Sequence, residues 1–159
     1  EKWFRKAILL KPDYANAYSN LGTVLRDLGK LKEAEFSYSK AIEIKPDYAE
    51  AHSNLGNVLG DLGKLKEAEI SYSKAIKIKP DYAGAYFYLG TLLNILGKRK
   101  DSIKNYSLAS EKEPNNLNYY LISKLRLSPI MKDVAQIDAE RKQYLKQLRK
   151  KHGKNIWVM

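Results

Sequence analysis

Few side chains in this sequence are equipped for covalent or metal chemistry. There is no cysteine, which removes disulfides, thiolate ligands and a thiol nucleophile together. His52 and His152 do not show the short spacing of a metal-ligand motif. Glu33 with Glu35, and Glu67 with Glu69, sit beside lysines and are expected to form a solvated helix face rather than an acid–base pair. The glycines fall at regular intervals and not as GxxxxGK[ST], so no phosphate loop is present. Asn105-Tyr106-Ser107 matches a glycosylation sequon, but Tyr106 stands at an expected core position and no secretion signal is seen. Accordingly no catalytic residue, metal ligand or cofactor is expected. What the chain does carry is short amides and hydroxyls at recurring positions. An asparagine amide both donates and accepts, so it can serve either backbone group of an extended peptide. The chemistry legible here is recognition.

The elements that would position those amides follow from a repeat. Lys11-Pro12-Asp13-Tyr14 returns at 45–48 and at 79–82, and Pro114 continues the 34-residue period. Residues 15–48 and 49–82 are identical at 28 of 34 positions. Each unit reads as two helices. Tyr18, Leu21, Leu25 and Leu28 are spaced for one helical face, Gly29 supplies a tight turn, and Leu31, Ala34, Tyr38, Ala41 and Ile42 form a second face. The second helix must stop before Pro46. Asp47 with Glu50 predicts a capping box for the next helix, and Asp13 and Asp81 predict simpler aspartate caps. Gly22, Gly56 and Gly90 fall inside first helices, where glycine costs about 1 kcal/mol against alanine. That cost, repeated, predicts a close approach by a bulky side chain of the paired helix. Tyr38, Tyr72 and Tyr106 share one expected core position, and Tyr14, Tyr48 and Tyr82 another at the repeat junction.

The frame Tyr18, Leu21-Gly22, Leu25, Gly29, Ala34, Tyr38, Ala41, Pro46 resembles the tetratricopeptide repeat family. It recurs as His52, Leu55-Gly56, Leu59, Gly63, Ala68, Tyr72, Ala75, Pro80, and as Tyr86, Leu89-Gly90, Leu93, Gly97, Ser102, Tyr106, Ala109, Pro114. The resemblance implies an all-α fold, a right-handed superhelical stack of antiparallel helix pairs with a C-terminal capping helix. The expected partition is the tail of a preceding unit at 1–14, three units at 15–48, 49–82 and 83–116, capping helices at 117–152 and a tail at 153–159. Trp3, Phe4, Ala7 and Pro12 carry the first of these, and a chain opening on Glu1 is expected to be a fragment. The family would bind a peptide or helix on the concave face of its first helices. Candidates there are Asn16, Ser19, Asn20, Thr23, Arg26 and Asp27, then Glu50, Ser53, Asn54, Asn57 and Asp61, then Phe87, Tyr88, Thr91, Asn94 and Ile95. Asn20 and Asn54 resemble the asparagine ladder of O-linked N-acetylglucosamine transferase repeats, which Tyr88 interrupts. A carboxylate clamp is not implied, because Ser19 and Ser53 stand where it needs lysine and Tyr88 where it needs arginine. His52, at an aromatic core position, is expected to be packed and satisfied.

The formal net charge is +11, of which residues 117–159 hold +7, with ten basic and three acidic side chains. Ile130, Val134, Ile137, Arg141, Tyr144, Leu145 and Leu148 form a stripe suited to capping the last repeat. Phe87, Tyr88 and Ile95 would lie beneath it. Lys142, Lys146, Arg149, Lys150 and Lys151 follow. Leu127-Ser128-Pro129-Ile130 with Gln136-Ile137-Asp138 and Arg141 resembles the region after the repeats in bacterial glycosyltransferase-like and SPINDLY-like proteins. The leading expectation is a protein-binding scaffold with a protein or peptide partner and a cytoplasmic location. Its alternatives are the substrate-recruiting module of a glycosyltransferase-like enzyme, or an adaptor touching nucleic acid or anionic membrane through the basic segment. Self-association through exposed repeat ends is a further expectation.

Overall fold

The computed structural model describes residues 1–127 together with positions 142, 143 and 146. Among these lie eight consecutive helices: α1 (Lys2–Leu10), α2 (Ala15–Asp27), α3 (Leu31–Ile44), α4 (Ala49–Asp61), α5 (Leu65–Ile78), α6 (Ala83–Ile95), α7 (Arg99–Lys112) and α8 (Leu117–Leu127). The pairs α2–α3, α4–α5 and α6–α7 are the three units, packed in chain order, with α1 before and α8 after them. The stripe from Ile130 to Leu148 and the tail at 153–159 lie outside the described residues. None of the described helices is long and apolar enough to cross a membrane.

The turn inside each unit is fixed by one glycine. Gly29, Gly63 and Gly97 adopt φ of +73°, +76° and +72°. The following amides then fold back onto the helix end. Lys64 N–H donates to Leu59 O at 2.8 Å and Gly63 N–H to Gly60 O at 3.0 Å, a Schellman closure repeated in all three units.

The junction between units departs from the expected caps. Tyr14, Tyr48 and Tyr82, not the aspartates, hold the N-cap positions, and no side chain caps these helices. The reason is the proline. Tyr48 N–H donates to Lys45 O at 3.2 Å, so Pro46 and Asp47 are the central residues of a β-turn, and the aspartate comes one residue too early to cap. The tyrosines are only partly covered, with Tyr14 exposed and Tyr48 and Tyr82 half-buried. Each lies under the ammonium of its own turn, with Lys45 Nζ 5.0 Å from the Tyr48 ring centre and Lys79 Nζ 5.3 Å from that of Tyr82.

The core is built on tyrosine against glycine. A Cβ added at Gly56 would stand 2.6 Å from the Tyr72 ring, one at Gly22 2.9 Å from Tyr38, and one at Gly90 3.0 Å from Tyr106. Ala34, Ala68, Ala41, Ala75 and Ala109 are fully buried along the same crossings. Val58 of the second unit closes the cluster of Leu21, Leu25 and Tyr38, and Leu89, Leu92 and Leu93 of the third close the cluster around Tyr72. Each unit therefore lends side chains to its neighbour's core, and the core is continuous.

Three of the four glutamates expected on a solvated face, Glu33, Glu35 and Glu69, also bridge units, and Glu33 and Glu67 are exposed. Lys30 reaches Glu1 at 3.2 Å, Lys64 reaches Glu35 at 2.7 Å and Lys98 reaches Glu69 at 3.0 Å, always across 29 residues. Arg5 holds Glu33 at 3.0 Å. Lys79 holds Glu50 at 2.9 Å, and this hydrogen bond keeps the Glu50 carboxyl below its ordinary range. A lowered carboxyl contributes stability above its unfolded pKa and loses it as pH falls through the folded value. Because both partners are largely solvated, the contribution is small. We expect Glu50→Gln to lower stability by no more than about 0.5 kcal/mol at neutral pH, and the gap to wild type to close below about pH 4 in urea titrations.

Candidate functional site

The first helices α2, α4 and α6 stand side by side, and α4 touches both others. The residue after each crossing glycine is held by the tyrosine lying on that glycine. The Tyr72 hydroxyl donates to Asn57 Oδ1 at 2.8 Å and that of Tyr106 to Thr91 Oγ1 at 3.2 Å. Thr23 donates its own hydroxyl to Ser19 O at 3.2 Å and so accepts from Tyr38 at 2.9 Å. Burial raises the pKa of the Tyr72 and Tyr38 hydroxyls, so both remain protonated donors. The packing interaction thus also orients a polar group on the opposite surface. In the second unit alone that group is an amide.

Around Asn57 the three first helices enclose a recess of about 360 Å³. Arg26 comes from α2; Gly60 and Asp61 from α4; and Tyr88, Thr91, Leu92 and Ile95 from α6. Leu65 and Tyr72 of α5 are its floor. Tyr88 stacks on Tyr72, with centroids 6.2 Å apart and planes at 19°, and stays 39% exposed. Ile95 is exposed beside it.

The predicted residues divide three ways. Arg26, Asn57, Asp61, Tyr88, Thr91 and Ile95 are brought together in the recess. Asn16, Asn20 and Asp27 are exposed, and Glu50, Asn54, Thr23 and Asn94 half-buried, but none of these lines it. Ser19 and Ser53 leave the candidate surface altogether. Both are buried, Ser53 completely, because the serine sits where neighbouring units press together. Burial raises the Tyr82 pKa. Phe87 also turns inward, its ring 5.0 Å from Tyr119 of α8 and 5.7 Å from Tyr106. The cover expected for Phe87 therefore comes at least from α8. His52 is buried, with Nε2 2.9 Å from Pro46 O, the bond that the Tyr86 hydroxyl makes to Pro80 O at 3.2 Å.

Gly60 is the residue that sequence reasoning missed. A Cβ there would meet nothing within 4 Å, and its φ is not positive, so neither packing nor backbone requires glycine. Arg26 and Asn94 hold the equivalent helical positions with the same turn after them. The signal was present in the sequence: 23/57 and 26/60 are two of the six positions where the first two units differ. A second recess of about 530 Å³ lies on α1, α2 and α3 and includes Ile8, Leu9, Tyr18 and Phe36. Among the described residues, no three His, Asp or Glu side chains are grouped to hold a metal.

Comparison with known proteins places this geometry in a family. Residues 3–36 and 49–82 match "Tetratricopeptide repeat" and residues 22–63 match "TPR repeat", together spanning 3–82. The chain belongs to the tetratricopeptide repeat family. No curated protein matches the sequence. Among solved structures it resembles the first TPR of Spaghetti (RPAP3) bound to an HSP90 peptide, SRMEEVD, at 25% identity and a TM-score of 0.66, over 70% of this chain and 89% of that one. MamA is similar in fold at 22% identity and a TM-score of 0.70, over 93% and 84%. The Arabidopsis OM64 TPR domain is similar in fold at 22% identity and 0.68, over 73% and 96%.

A glycine in the last turn of a helix, with neither packing nor backbone requiring it, is a stability deficit. Gly60→Ala should raise the unfolding free energy by up to about 0.5 kcal/mol in denaturant titrations.

Proposed function

We propose that this chain is a protein-interaction scaffold that holds an extended peptide or a helix along the first-helix face. The observation that carries the reading is the recess itself. It is preformed, walled by three helices, and offers an oriented amide at Asn57 beside an exposed aromatic ring at Tyr88. A surface ordered before binding loses little entropy on complex formation. The Spaghetti repeat, solved with a peptide bound, supports the same class of role. The asparagine-ladder likeness extends the reading: Asn20 and Asn54, at equivalent positions N-terminal to the recess residues on α2 and α4, would hold the peptide backbone.

Self-association is a second reading, favoured by α1. Trp3 and Leu9 there are about 80% exposed, with Leu10 close behind. Such a patch is a candidate contact for another helix pair.

A photo-crosslinking residue placed at position 54 on α4 should trap a discrete protein partner from native lysate. The same residue at Lys40, on the exposed side of α3, should trap none. Equal adducts from both positions would contradict the reading.

A further inference from the structure

Two charged side chains line the recess, Arg26 and Asp61, and only Arg26 has an ion-pair partner among the described residues. Counted along the first helices, α2 carries Arg26 and Asp27, α4 carries Glu50 and Asp61, and α6 carries no charged side chain. The first helices together hold one cation and three carboxylates, although the whole protein is +11; of these only Arg26 and Asp61 line the recess. Two of the three are already engaged. Asp27 holds Arg26 at 3.4 Å, and Glu50 holds Lys79 at 2.9 Å. Asp61 is exposed, and no cation among the described residues lies within ion-pair distance of it.

The neighbours of Asp61 suit a cation further. The exposed Tyr88 ring, backed by Tyr72, offers an aromatic face on which an ammonium or guanidinium can rest. Gly60 also lines the recess, and a Cβ there would meet nothing within 4 Å. An arginine or a larger side chain there, as in the first unit, would project into it. Ile95 supplies an apolar edge on the far side. The Asn57 carbonyl oxygen is taken by Tyr72, which leaves the Nδ2 hydrogens to donate to a ligand carbonyl.

We infer that the recess at Gly60 and Asp61 binds a lysine or arginine side chain of an extended peptide, with an apolar residue of that peptide against Ile95. This rests on the scaffold reading above and names its ligand class. It also separates this chain from a repeat that takes an acidic peptide such as SRMEEVD. An acidic ligand would bring its carboxylates to Asp61, where like charges repel.

The test uses the full chain and a phage-displayed library of random linear peptides. Enrichment of lysine or arginine next to an apolar residue is expected. The best synthetic peptide should then lose at least about tenfold in affinity with Asp61→Asn, consistent with loss of one charge-assisted contact. It should lose as much with Gly60→Leu, which fills the recess. Neither thermal melt should fall, since Asp61 is exposed and a Gly60 side chain meets open space. Enrichment of acidic or uncharged peptides that still lose affinity with Gly60→Leu would overturn the charge assignment and leave the scaffold reading intact. Basic peptides indifferent to both substitutions would overturn the assignment of the site. No enrichment at all would overturn both.

Discussion

The structure depends on one contact made three times, a tyrosine ring of a second helix laid flat on a glycine of the first. Tyr38 on Gly22, Tyr72 on Gly56 and Tyr106 on Gly90 set how closely the two helices of each unit approach. A ring needs a flat bed, and only a residue without Cβ provides it at these separations. The alanines at 34, 68, 41, 75 and 109 are the same constraint further along each crossing. Once the pairs are this close, leucines and valines from the neighbouring unit complete each cluster, and a short array gains a continuous core. The contact also reaches the surface. Each phenol bonds the residue next to its glycine, so the core that holds the array together orients Thr23, Asn57 and Thr91 on the inner face.

Much of this was legible in the sequence because it is local or periodic. The 34-residue period located the helix pairs, Gly29, Gly63 and Gly97 located the turns, and the cost of a mid-helix glycine pointed to a close approach. What failed was of another kind. The aspartate caps failed because Pro46 draws Asp47 into a turn. The bridges from Lys64 to Glu35 and from Lys98 to Glu69 span two units and form only once these stack. Ser19 and Ser53 sit on the correct helices, but helical period says which face a residue shares and not how far the next unit covers it. Of the candidate face, the central cluster was legible and its floor was not, since Leu65 and Tyr72 come from the second helix.

The charge excess has a similar lesson. A net charge of +11 suggests an anionic partner if it is taken as one number. Its placement is uneven: residues 117–159 hold +7 of it, while the inner helices of the repeats hold more carboxylates than cations. Divergence between nearly identical units is the better guide to recognition. Where the second unit differs from the first, it gives up Arg26 for Gly60 and Thr23 for Asn57, and the recess opens there.

The ring-on-glycine contact governs stability at these positions, against the ordinary preference of helices for alanine. Calorimetric unfolding of Gly56→Ala tests it most directly. Helix propensity alone would stabilise that variant by about 1 kcal/mol. The ring contact demands the reverse, a loss of roughly 1–3 kcal/mol as the added methyl displaces the Tyr72 ring. An unchanged or higher melting temperature for Gly56→Ala would contradict it.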